Sequence, residues 1–212
     1  MRCAQAARKG ISVNAKPFLI TGQPRARTAW LSVLCSTGAS MCYHEPSGGM
    51  GDISELKGVF DSDFYKFVGV SDSIMGFFLD WIFEHIAPRT VIVERDPGEV
   101  LDSLSLLGLP RTNLPYLLRE NLERFKDHPL VMWVPFDALE TKRIVQRVFW
   151  HLMPGEPFDE NRYDLLAKMR IETDRAKTFE MAFKHRSQHS RLLRDILPKI
   201  KLTEPKNERA IH

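Results

Sequence analysis

Two turns that carry arginine hold the chemistry that this sequence can do. The first is FLITGQPRARTAWL, Phe18 to Leu31, where an apolar run meets Gly22, Pro24, Arg25 and Arg27 and passes at once into a helix-forming stretch. A strand, a loop and a helix start in that order bind anions, because the first helical amides lack intrahelical acceptors and the helix dipole attracts negative charge. The frame is Gly22, four residues, then Arg27-Thr28. It follows the outline of a phosphate-binding loop, with arginine where lysine is usual and no second glycine. The competing reading is an ordinary turn in which Thr28 caps the helix and the arginines are solvated.

The second turn is TVIVERDPGEVLDSL, Thr90 to Leu104. A buried strand ends at Glu94-Arg95, Asp96 is placed to cap a helix, and Pro97 suits its first turn. Ser103 falls two turns into that helix, so Arg95 and Ser103 can both reach a ligand lying over the carboxyl edge of a sheet, where open α/β sheets bind ligands. Pairing of Arg95 with Asp96 or Glu99 is the structural alternative.

Composition narrows the classes of function. The chain has 212 residues, 43% of them hydrophobic, and no apolar run near the roughly 20 residues that a membrane span requires. A net charge of +3 suits an anionic small ligand and is too small to argue for nucleic acid. Cys3, Cys35 and Cys42 form neither an even framework nor a metal-ligand spacing, so reduced structural thiols, no metal site and a cytoplasmic location are expected.

Five short apolar runs must position these turns: Pro17 to Thr21, Ser40 to Tyr43, Phe67 to Ser71, Thr90 to Glu94 and Leu130 to Pro135. Helices are expected at Thr28 to Thr37, Ile53 to Phe60, Ile74 to Ile86, Pro97 to Leu107, Leu114 to Lys126 and Leu139 to Leu152. The alternation predicts a three-layer α/β domain with a central parallel sheet. One domain is expected over 1–212, with an N-terminal extension (1–16) and a helical C-terminal segment (159–212). That segment is expected to cross one end of the sheet, stay helical to Leu197 and fray after Pro198.

The order and spacing of both turns resemble the sulfotransferase superfamily, P-loop-related enzymes that use 3'-phosphoadenosine 5'-phosphosulfate. The family's first loop, Pro-[Lys/Arg]-Ser-Gly-Thr-Thr-Trp, stands here as Pro24-Arg25-Ala26-Arg27-Thr28-Ala29-Trp30, and the family's strand-end arginine with a serine eight residues on as Arg95 and Ser103. VMWVPFDALE, Val131 to Glu140, is similar to the family's later strand and acidic turn, and the style is that of short bacterial and phage members. The resemblance implies a P-loop NTPase-like fold. It also implies that Gly22, Arg25, Ala26, Arg27, Thr28 and Ala29 cradle the 5'-phosphosulfate, that Trp30 packs on adenine, and that Arg95 and Ser103 hold the 3'-phosphate. The product is then 3',5'-bisphosphoadenosine.

Sulfuryl transfer to a hydroxyl or amine needs a proton acceptor and cationic stabilisation of the leaving phosphate oxygen. Arg25 is the expected cation. Animal cytosolic members have a histidine on the third strand, where this chain reads VGVSDS; in Golgi-type and bacterial relatives a glutamate near CYHEP, Cys42 to Pro46, does the work. Glu45 is therefore the expected base and His44 its substitute, each side chain on its own strand face. Asp72 is either an orienting carboxylate or a turn former. A P-loop kinase or nucleotide hydrolase, and a nucleotide-binding relative without turnover, are the other readings.

Overall fold

Runs of apolar side chains with no polar alternation make strands that must be covered on both sides, and this is how the sheet is built. In this computed structural model, which describes residues 15–169 and 191–202, the strands are β1 (Lys16–Gly22), β2 (Ser40–His44), β3 (Phe67–Ser71), β4 (Arg89–Glu94) and β5 (Val131–Pro135). All pair in parallel, in the order β2-β3-β1-β4-β5. Successive side chains leave opposite faces: Phe18, Ile20, Val91 and Val93 enter one core, Leu19 and Ile92 the other.

The helices are α1 (Thr28–Leu34), α2 (Leu56–Val59), α3 (Leu79–His85), α4 (Pro97–Ser105), α5 (Leu114–Glu123), α6 (Lys142–Leu152) and α7 (Glu160–Ala167). Side chains of α1, α6 and α7 fill the first core, and those of α2, α3 and α5 fill the second. The result is a three-layer α/β domain with a central parallel sheet flanked by helices, as expected. Among the described residues no helix is long and apolar enough to cross a membrane.

Where elements differ from expectation, local hydrogen bonds explain the change. The runs expected to begin helices at Ile53 and Ile74 open as 3₁₀ turns, Ile53–Glu55 under an Asp52 capping box and Ile74–Phe78 after Asp72 accepts the Ile74 amide at 2.9 Å. The last expected helix begins at Lys142 rather than Leu139, because Phe136–Glu140 coils as a 3₁₀ turn and Thr141 is extended.

The C-terminal segment also departs from expectation. Helix α7 ends at Ala167 and lays Tyr163 and Leu166 on the α1–α6 face, while Leu192 joins the opposite core. The described chain after Pro198 does not fray: Lys201 donates its amide to Asn113 Oδ1 at 2.6 Å and accepts the Asn113 amide at 2.9 Å. The expected helix between 170 and 190, the extension 1–14 and the tail 203–212 lie outside the described residues, as does most of the basic run Phe183 to Arg194, whose sequence suits either a closure over phosphates or the solvated face of a helix.

Strand order decides where a ligand can sit. The connection after β1 runs outward to edge strand β2, whereas that after β4 runs the other way, to β5. Neighbouring strands whose connections diverge leave a crevice at their carboxyl ends. Both arginine-bearing turns flank it.

Candidate functional site

The loop after β1 is shaped by a close backbone approach. Gly22 has φ 149°, and a Cβ there would lie 2.2 Å from the Val93 carbonyl oxygen of β4. Its glycine is demanded by the neighbouring strand. Gln23, 1% exposed, donates its amide side chain to the Pro115 carbonyl at 2.8 Å, and its Oε1 has no partner among the described groups.

The loop then alternates. Arg25 (φ 64°) and Arg27 (φ 60°) adopt the left-handed conformation and turn outward, while Ala26, 0% exposed, joins the core beneath α1. A left-handed residue followed by a helical one turns successive N–H groups toward one concavity, an anion-binding arrangement. Arg27 occupies the N-cap of α1 without a capping side chain, so the Thr28 cap of the competing reading does not form: Thr28 is the first helical residue. Glycine would adopt the φ of 60° at position 27 without strain, whereas arginine carries a Cβ penalty there.

The second turn folds as its spacing predicts. Asp96 Oδ1 accepts the amides of Gly98 at 2.8 Å and Glu99 at 3.2 Å, with Pro97 opening α4. Arg95, its side chain 18% exposed, meets Glu99 at 3.4 Å and donates to the Arg25 carbonyl at 2.8 Å. Arg25 Nε in turn donates to Ser103 Oγ at 3.3 Å. The fold thus joins Arg25, Arg95 and Ser103 in one cluster. Arg27 pairs with Glu140 at 3.1 Å and lies over the Phe136 ring, and a cavity of about 210 Å³ lined by Arg95, Arg119, Pro135, Phe136 and the acidic Glu94, Asp96, Glu99 and Asp137 opens on the Arg95 side of that ring.

Phe136 and Glu140 were missed by the sequence reading, although both lie in the VPFDALE stretch it singled out. The available signal was register: Glu94 pairs with Pro135, so the residues immediately after β4 and β5 must be neighbours.

Glu45 follows the second strand directly, with its side chain 62% exposed. Its φ of 51° breaks the strand alternation, so His44 and Glu45, expected on opposite faces, approach to 3.9 Å. The Glu45 amide donates to the Ser71 carbonyl at 2.9 Å, and Ser71 Oγ donates to the Thr28 carbonyl at 2.8 Å, which ties the turn after β2 to the start of α1. Trp30 is half-buried: its indole N–H donates to the Leu166 carbonyl at 3.0 Å and its ring stands edge-on to Tyr163. Cys35 and Cys42 are buried and free, and burial pushes the Cys35 thiol up to about 12, so both act as core residues. Cys3 lies outside the described residues.

Asp72 does more than form its local turn. It is 1% exposed and accepts both the Ile74 amide and, from across the site, the Ser47 amide at 3.0 Å. Burial, partly offset by these bonds and reinforced by Glu45, pushes its carboxyl from 3.8 up to about 6. Because the folded state holds this proton more tightly than the unfolded chain, the contribution is fully present below pH 3.8 and is lost as pH rises through 6. Wild type should therefore lose on the order of 2 kcal/mol relative to Asp72→Asn between pH 4 and 6. Urea denaturation of both proteins across that range measures it, and parallel pH curves would refute it.

No protein-family model matches the chain, and no curated protein matches it. Among solved structures, the chain is similar to a crystal structure of a sulfotransferase from Alicyclobacillus acidocaldarius, with a TM-score of 0.49 and 13% identity over 86% of this chain and 96% of that one.

Proposed function

We propose that this protein binds 3'-phosphoadenosine 5'-phosphosulfate and transfers its sulfuryl group to a hydroxyl or amine. The observation that supports this most is the joining of the two turns: Arg95 bonds the Arg25 carbonyl at 2.8 Å and Arg25 bonds Ser103 at 3.3 Å. Each turn alone is an ordinary strand-to-helix connection. Together they form a site with three guanidiniums at a diverging strand pair, which fits a ligand with two separated anionic groups.

In this reading the loop amides, Arg25, Arg27 and Thr28 hold the 5'-phosphosulfate, with Gly22 and Ala26 shaping the loop and Ala29 in the first turn of α1. Arg95 and Ser103 hold the 3'-phosphate. Trp30 acts from beneath, by fixing α1 against α7. The donor supplies an activated sulfuryl group. The acceptor oxygen or nitrogen forms the new bond to sulfur, the sulfur–phosphate oxygen bond breaks, and its electron pair stays on the 5'-phosphate beside Arg25. Glu45, with His44 next to it, receives the acceptor's proton. The buried free cysteines suit a reducing cytoplasm.

Phosphoryl transfer with a metal nucleotide is less well supported. Glu94, the acid such a reading would use at the end of β4, already accepts Trp133 Nε1 at 2.7 Å and Arg119 at 3.2 Å, and Asp96 is taken up by helix amides.

The test is calorimetric titration of wild type and Arg95→Ala with 3',5'-bisphosphoadenosine and with adenosine 5'-phosphosulfate, which lacks the 3'-phosphate. Loss of a charge-assisted contact worth about 1.5 to 3 kcal/mol should weaken the first ligand roughly 10- to 150-fold and leave the second nearly unchanged. Equal weakening of both would make Arg95 a brace for the Arg25 carbonyl and remove the 3'-phosphate from its role.

A further inference from the structure

Arg27 and Arg95 come from different turns, yet both lie over one ring. Their guanidinium carbons are 5.0 Å and 4.4 Å from the centroid of Phe136. Phe136 follows Pro135 directly, and Pro135 is paired in register with Glu94, so the sheet itself sets the ring beside Arg95. Behind, the ring packs against the core shared by α1 and α6. In front, it lines the cavity of about 210 Å³ next to Arg95. Glu140, at the far end of the same turn, pairs with Arg27 at 3.1 Å. One short turn therefore orients two guanidiniums that would otherwise repel.

The ring suits that work. Its face carries negative charge density that attracts cations. The guanidinium is planar and stacks on an aromatic face, so its plane and its donor fork are set before a ligand arrives. Orientation established in advance need not be established on binding. A lysine in place of either arginine would keep the charge and lose the stacking.

We propose that Phe136 is a positioning and specificity-determining residue: it holds Arg27 and Arg95 at a set separation, and so makes the site prefer a ligand with two separated phosphate-class groups over one with a single group. This rests on the reading of both arginines as anion ligands.

The experiment is titration of the full chain with 3',5'-bisphosphoadenosine, adenosine 5'-phosphate and inorganic pyrophosphate, using wild type, Phe136→Leu, Phe136→Tyr, Arg27→Lys and the double variant Arg27→Lys/Phe136→Leu. Thermal denaturation of each protein checks that it is folded. Phe136→Leu should weaken bisphosphoadenosine about 5- to 20-fold and adenosine 5'-phosphate by no more than about threefold, which narrows the preference. Phe136→Tyr should stay within about twofold of wild type, since its ring offers the same face. Arg27→Lys should resemble Phe136→Leu, and the double variant should be no worse than either, because residues that act through one contact are not additive.

Equal weakening of all three ligands, no change in any, or failure of the tyrosine to restore binding overturns the proposal. Wild type that binds bisphosphoadenosine no better than adenosine 5'-phosphate defeats the donor reading instead. In that case pyrophosphate decides: binding lost in Phe136→Leu and kept in Phe136→Tyr retains the ring's role for another diphosphate-class ligand, and no pyrophosphate binding by wild type removes both readings.

Discussion

Replacing Glu45 by glutamine is expected to cut sulfuryl transfer by about 10² to 10⁴ while leaving the affinity for 3',5'-bisphosphoadenosine within about twofold, the effect of removing a positioned proton acceptor and little else. The backbone at this position is pinned independently of the carboxylate. The Glu45 amide bonds the Ser71 carbonyl at 2.9 Å, and Asp72 holds the following turn through the Ser47 amide at 3.0 Å. Glutamine keeps the length and hydrogen-bonding shape of the side chain, so the left-handed turn should survive. The measurement is transfer from labelled donor to a panel of hydroxyl and amine acceptors. His44→Asn is the companion variant, informative because His44 and Glu45 lie only 3.9 Å apart. If Glu45→Gln loses cofactor binding together with turnover, the residue orders the loop and is not the base. If it keeps full rate while His44→Asn loses it, the two roles must be exchanged.

Gly22→Ala should cost about 3 to 5 kcal/mol of stability. The new Cβ would meet the Val93 carbonyl oxygen at 2.2 Å and the Val93 nitrogen at 2.9 Å, and both belong to the backbone of a central strand. No side chain can swing aside to relieve the contact, and the φ of 149° is one that only glycine adopts with ease. Against a typical total of about 5 to 15 kcal/mol, such a loss should leave the protein close to its unfolding threshold at growth temperature. Gly38→Ala, where an added Cβ meets nothing within 4 Å, is the matched control and should change stability by less than about 0.5 kcal/mol. Urea denaturation of the two variants compares them, and a Gly22→Ala protein within about 1 kcal/mol of wild type would show that β1 and β4 can separate at their carboxyl ends.

The sheet was the most legible part of the molecule. A strand covered on both faces needs an uninterrupted apolar run, and FLI, FVGV and TVIV are such runs. The caps of α4 were legible too, because Asp96 and Pro97 act on amides two or three residues away. Helix starts at Ile53, Ile74 and Leu139 were less so. There a 3₁₀ turn comes first, and the bonds that select it involve single side chains such as Asp52 and Asp72 that composition leaves ambiguous.

Within the site, sequence alone determined which turns would bear arginines at the carboxyl edge, since order along the chain and strand–loop–helix alternation are local properties. Tertiary structure alone decided what those arginines touch. Arg25 meets Ser103 across 78 positions and Arg27 meets Glu140 across 113, so no window of sequence contains either pair. It also decided the partners of Trp30, Tyr163 and Leu166, which belong to α7. The physical reason is the same throughout: backbone conformation follows from neighbours in the chain, whereas side-chain partners follow from strand register and packing. Here the pairing of Glu94 with Pro135 brings Phe136 beside Arg95 and gives two distant turns a common surface.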